Sequence, residues 1–181
     1  DTSTNDSFML IGTGTYGGPK VTSTNDPTFT KIRDEITSVC EELAKKIVLD
    51  GEGATKFIEI RVEGGLSKTE AREVGFSVAN SPLVKTAFYA SDANLGRIMS
   101  AIGAARVVDL DVSKVEMWIG DVLVAKNGGR ASSYREADVK TFMQSDEIVV
   151  TIRLGRGKDS VTIWTCDLSH DYIKINAEYR S

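Results

Sequence analysis

Glu52 is the residue of this chain most suggestively placed for chemistry. It stands between two glycines, in the run Asp50-Gly51-Glu52-Gly53-Ala54-Thr55-Lys56. One glycine is enough to end a helix. Two of them remove the side chains from both neighbours of the acid. The run is either a plain turn with a solvated glutamate or a backbone opened so that the carboxylate points into a site. Other chemistries find less support. There is one histidine, His170, and there are two cysteines, Cys40 and Cys166, with no Cys-x-x-Cys pair. Zinc sites draw mainly on Cys and His, so no metal is expected. A Ser-His-Asp triad would need His170, but no Gly-x-Ser-x-Gly elbow accompanies it, and His170 reads as a turn residue. The glycine-rich run GTGTYGG, residues 12–18, matches neither phosphate-loop pattern and reads as a loop.

The elements that would position these residues follow from periodicity. Phe29, Ile32, Ile36, Val39, Leu43 and Ile47 recur at three- and four-residue steps, which predicts a long amphipathic helix. Asp26 or Thr28 caps it near Pro27, and Gly51 stops it. Residues 56–64 alternate as a strand, with Ile58, Ile60 and Val62 on one side and Glu59, Arg61 and Glu63 on the other. Ser67 and Glu70 have capping-box spacing ahead of a helix carrying Ala71, Val74, Val78 and Ala79. Further helices are predicted after Pro82, from Asp92 and over residues 134–144. A hairpin turning at Gly120-Asp121 is predicted for residues 115–128. A second hairpin is predicted to join 147–154 to 160–168, and the tail YIKIN (residues 172–176) reads as a strand. Interleaved helices and hairpins predict an α+β fold, with mixed or antiparallel sheets and packed helices, in a single unit over residues 1–181.

The totals bound the function. The chain has 181 residues, of which 41% are hydrophobic, and a formal net charge of −4. That allows a real core and supplies no basic field for nucleic acid. No apolar run approaches the ~20 residues needed to span a bilayer, and the start lacks the pattern of a signal peptide. Both cysteines read as reduced core thiols, so a cytoplasmic location is expected, with neither nucleic acid nor membrane as a partner.

Four stretches in one order, DTSTNDS, DGEGATKF, SDANLGRIMSAIGAA and CDLSHDYIKINAEYRS, resemble the ornithine acetyltransferases, the bifunctional glutamate N-acetyltransferases of arginine biosynthesis. The resemblance runs from Asp1 to Ser181. It implies a precursor that cuts itself into an α and a β chain, with a new N-terminal threonine as nucleophile. That threonine takes acetyl from N2-acetylornithine, releasing ornithine, and passes it to glutamate. Some members also take acetyl from acetyl-CoA, which is then a co-substrate; no cofactor is implied. The family assembles in the cytoplasm as a heterotetramer of two α and two β chains.

By this resemblance the chain is most of a β chain. The family's cleavage word, Met-Ala-Thr-Met-Leu, does not occur in it. The nucleophile is therefore expected upstream of Asp1, with no catalytic residue in this chain. Three positions match substrate-binding residues of the family: Glu52, Asn176 and Ser181. Many members end in threonine where this chain has Ser181; both carry a hydroxyl. Asp92, Asn94 and Arg97 either lie near the site or form a helix cap with an exposed arginine. Many relatives have Pro and Trp where this chain has Ala93 and Leu95. Asn5 and Asp6 either support the site or do turn chemistry. The alternatives are a related self-cleaving, aminopeptidase-like hydrolase and a non-catalytic amino-acid-binding module.

Overall fold

A computed structural model describes residues 7–18 and 20–178. The first long element, α1 (Pro27–Leu49), starts where Asp26 accepts a hydrogen bond from the Thr28 N–H at 2.8 Å, with Pro27 in the first turn. It is followed by β1 (Phe57–Gly65), α2 (Lys68–Ala79), α3 (Pro82–Tyr89) and α4 (Leu95–Gly103). Then come β2 (Glu116–Ile119), β3 (Val122–Lys126), β4 (Gly129–Arg130), α5 (Glu136–Gln144), β5 (Glu147–Arg153), β6 (Asp159–Cys166) and α6 (His170–Glu178).

The strands form one six-stranded sheet in the order β4-β3-β2-β5-β1-β6. β1 is parallel to β5 and antiparallel to β6, which makes the sheet mixed. Alternation decides its faces. Ile58, Ile60 and Val62 of β1 are fully buried, as are Val150 and Ile152 of β5. They join Val74 and Val78 of α2, Phe88 of α3 and Ile98 and Ile102 of α4 in one core. Glu59, Arg61 and Glu63 point the other way. That face is held by charge and aromatic contacts: Trp164 Nε1 donates to Glu59, Arg153 pairs with Glu63 at 2.8 Å, and the Arg153 guanidinium lies over the Trp118 ring.

Most predicted elements form where expected. Ser67 caps α2 by accepting from the Glu70 N–H, while Glu70 reaches back to the Leu66 N–H and pairs with Arg156 at 3.0 Å. The first hairpin, β2–β3, turns at Gly120, whose φ of +59 suits glycine. Cys166 is buried, as its strand pattern implied.

Several expectations are corrected. β5 and β6 are not a hairpin, because β1 lies between them and pairs with both. Their short connection crosses the end of β1, where the Arg156 and Gly157 N–H groups both donate to the Gly64 carbonyl. A side chain at Gly157 would meet the Gly65 carbonyl oxygen, so the crossing requires glycine there. The YIKIN tail is helical, within α6. A five-residue alternation is too short to separate a strand from a helix turn, and an edge strand there would need backbone partners. His170 opens this helix rather than a turn and stacks edge-on against Tyr89, with ring centroids 5.6 Å apart. Finally, α1 buries none of its residues, so Cys40 is half-buried rather than a core thiol.

Candidate functional site

The site is built at one end of the sheet, where the chain leaves α1 and enters β1. Directly after β6, Asp167 turns back into this corner. It is 1% exposed. Its Oδ1 accepts from the Thr55 and Lys56 backbone N–H groups at 2.8 and 2.9 Å, and its Oδ2 accepts from the Thr55 hydroxyl at 2.6 Å. These bonds fix the end of the glycine-rich run against the start of α6. The Ser169 hydroxyl adds a bond to the Gly53 carbonyl at 2.6 Å.

Gly53 explains the sequence of the corner. Its φ is +68, a left-handed conformation that side chains disfavour. A Cβ there would also fall 2.6 Å from the Tyr172 backbone nitrogen and 2.8 Å from the Ser169 hydroxyl oxygen. Glycine is required twice, by the turn and by the first turn of α6 pressed against it. Gly53 therefore lets the run lie directly on α6, which brings Glu52 alongside the helix.

Lys56 pins the other side. Its ammonium donates to the Phe88 carbonyl, the Ser91 hydroxyl and the Met143 carbonyl at 2.9, 2.7 and 2.6 Å. Withdrawal from water pulls its pKa below the usual lysine value, while Asp167 and Asp146 oppose that shift. With three acceptors engaged, Lys56 holds α3 and α5 against the corner.

The predicted site residues now find their places. Glu52 is half-buried and Asn176 is exposed, on α6. Although 124 positions apart, they meet: Asn176 Nδ2 donates to Glu52 Oε2 at 2.7 Å. The same Nδ2 donates to the Tyr172 carbonyl at 2.9 Å, so both amide hydrogens are engaged. This orients the amide with Oδ1 turned away from its two partners. Glu52 Oε1 has no hydrogen-bond partner among the described residues. Glu52 Oε1 thus remains as an anionic acceptor, held in place through the bond on the other oxygen. An unfilled carboxylate oxygen suits an ammonium group, which has three donors and no acceptor. Ser181, Asn5 and Asp6 lie outside the described residues.

Asp92, Asn94 and Arg97 are occupied locally. Asn94 caps α4 by accepting from the Arg97 N–H, and Asp92 accepts from the Asn94 N–H and from its side-chain amide. Arg97 donates to the Leu83 carbonyl at 2.9 Å. The structure shows the cap, with the half-buried arginine tying α4 to α3. Sequence reasoning assigned no role to Asp167, Ser169 or Lys56. Asp167 and Ser169 sit within CDLSHDY and Lys56 within DGEGATKF, but nothing in local spacing joins segments more than a hundred residues apart. Among the described residues no cluster of His, Cys, Asp and Glu could hold a metal, and no helix is long and apolar enough to cross a membrane.

A model of the ArgJ family matches residues 1–181. The chain belongs to the ArgJ family. It is 53% identical over all 181 residues to the arginine biosynthesis bifunctional protein ArgJ of Neisseria meningitidis serogroup A, and equally to that of Neisseria gonorrhoeae. It spans 45% of the length of each of these relatives. The crystal structure of the arginine biosynthesis bifunctional protein ArgJ from Bacillus halodurans superposes with a TM-score of 0.90 at 34% identity, over 99% of this chain and 83% of that one. The α+β fold of this ArgJ-family chain is therefore that of a solved relative. Within it, the meeting of Glu52 with α6 depends on Gly53, Ser169 and Asp167, which act as positioning residues.

Proposed function

We propose that this chain is the substrate-gripping, β-chain part of an ornithine acetyltransferase that moves acetyl from N2-acetylornithine to glutamate. In this reading the hydroxyl of a threonine outside this chain attacks the acetyl carbonyl. The amide C–N bond breaks, the amine of ornithine leaves with a proton, and an acetyl-threonine ester remains. The amine of glutamate then attacks the ester, the C–O bond breaks, and the threonine hydroxyl is restored. An N-terminal amine, with pKa ~8, is suited to carry the proton in both steps. Acetyl-CoA is an alternative donor for the first step.

The observation that carries the reading is the Glu52–Asn176 pair. The free anionic oxygen of Glu52, oriented by Asn176, matches the ammonium group that distinguishes ornithine from neutral amino acids. The charge on Glu52 binds and orients the substrate but takes no proton in either step. Ser181, at the end of the tail beyond α6, is proposed to add a hydroxyl to the same grip. The α chain of the same precursor is the proposed partner, two of each chain forming the assembly, in the cytoplasm.

The test is to incubate the full-length protein with acetylornithine and glutamate and follow ornithine and acetylglutamate together. Equal release of both supports transfer. Ornithine with free acetate, and no acetylglutamate, would place the protein with the self-cleaving hydrolases instead. Neither product, from protein that retains acetylornithine, would favour the binding module.

A further inference from the structure

Helix α1 has 23 residues and an apolar stripe, yet none of its residues is buried. At about 100° per residue, Ile32, Val39, Leu43 and Ile47 share roughly a quarter of its circumference. They are 42 to 55% exposed. The helix instead leans on the sheet along another side. Lys45 lies over the Trp164 ring of β6, and Cys40, Ala44 and Val48 are half-covered, as is Ile36 at the stripe's edge toward them. Beside the open stripe, Phe8 lines a broad hollow together with Leu43, Ile47 and Leu49. Phe8, Met9, Leu10 and Ile11 are four consecutive apolar residues, 65 to 78% exposed. They make no backbone hydrogen bond to any described residue. Soluble chains rarely leave so much contiguous apolar surface open, and an apolar segment with unpaired backbone is a template for strand addition.

We infer that the α1 stripe and residues Phe8–Ile11 form one docking surface, and that its occupant is the part of the ArgJ polypeptide lying outside this chain. Curated relatives hold more than half of their length outside the matched region. The core side chains are enclosed between the sheet and α2–α4, whereas eight of the exposed large apolar side chains fall in Phe8–Ile11 and the α1 stripe, which meet at the hollow lined by Phe8, Leu43 and Ile47. The occupant supplies an apolar layer over Val39, Leu43 and Ile47 and a strand that pairs with the backbone of residues 8–11. The inference rests on the proposal that this chain works as one part of a larger acetyltransferase.

The test uses the full-length protein. A photo-crosslinking amino acid is placed at position 43 and, separately, at position 10, and crosslinked peptides are identified by mass spectrometry. In parallel, Leu43→Cys is labelled with a maleimide and compared with Lys31→Cys, on an exposed polar side of the same helix. Crosslinks into the region outside this chain are expected, with Leu43→Cys labelled at least tenfold more slowly than Lys31→Cys. Equal labelling rates would overturn the inference, as would crosslinks only to a second copy of residues 1–181. Neither position is buried in this chain, and equal melting temperatures of the two variants check that neither disturbs it. Acetyl transfer is assayed on the same preparation. A shielded stripe without transfer would defeat the transferase reading and leave the docking surface standing. An open stripe with transfer would do the reverse.

Discussion

Two carboxylates enter the same corner of the molecule and are treated oppositely. Asp167 is buried, and both of its oxygens are engaged: two backbone N–H groups on one, a hydroxyl on the other. Glu52, three residues before Thr55, stays half-buried with one amide hydrogen on one oxygen. A buried charge is tolerated only when its hydrogen bonds are complete, and a complete set leaves nothing for a ligand. A half-solvated charge with an unfilled oxygen costs little to keep and has bonding capacity left over. Asp167 is thus spent on holding the corner together, while Glu52 is held by the corner and remains available.

That contrast can be broken from either side. The largest effect is expected from Asp167→Ala, which leaves two part-buried backbone N–H groups, a hydroxyl and the neighbouring Lys56 without their buried acceptor. A loss of about 3–5 kcal/mol, read from denaturant unfolding, is expected. A loss below about 1 kcal/mol would show that the corner is held by something else. Gly53→Ala comes next. The strained φ and the close approach to Tyr172 should cost about 1–3 kcal/mol. Because this change pushes the Glu52 run off α6, it should also raise the KM for acetylornithine. A stability loss with KM unchanged would separate the corner from the site.

Asn176→Ala sharpens the other half of the comparison. It removes the bond that orients Glu52 at an exposed position, so stability should fall by no more than about 0.5–1 kcal/mol. KM for acetylornithine should rise several-fold. The smallest effect is expected from Arg97→Ala. This arginine ties α4 to α3 through the Leu83 carbonyl, so a stability loss of about 1 kcal/mol with KM and kcat unchanged is expected. A change in KM there would return SDANLGR to the list of site residues.

Local patterns were readable wherever one element carried the whole signal. The α1 stripe, the Ser67 cap, the alternation of β1 and the turn at Gly120 each depend on neighbours within a few positions. The second expected hairpin failed because adjacency in sequence did not make β5 and β6 adjacent in space; β1, folded much earlier in the chain, occupies the gap. YIKIN failed because Tyr172, Ile173 and Ile175 alternate over too short a span, and in α6 two of them, Ile173 and Ile175, are exposed. The α1 stripe shows a further gap. Periodicity locates an apolar face but does not say whether this chain covers it. For the site, the two glycines around Glu52 marked an unusual corner, but spacing alone favoured a solvated turn. Family resemblance linked Glu52 to Asn176; no periodicity connects residues 124 apart. Asp167 was missed because its set of hydrogen bonds is a property of the folded corner, formed by Thr55 and Lys56 on the other side of the chain.

The most direct test is Glu52→Gln in the full-length protein, which keeps the shape and the acceptor for Asn176 but removes the charge. Charge-assisted bonds are worth about 1.5–3 kcal/mol, so KM for acetylornithine should rise roughly 10- to 150-fold, with kcat for bound substrate and thermal stability nearly unchanged. An unaltered KM, or a rise matched by an equal loss of stability, would contradict the assignment of Glu52 as the acid that grips the ammonium group.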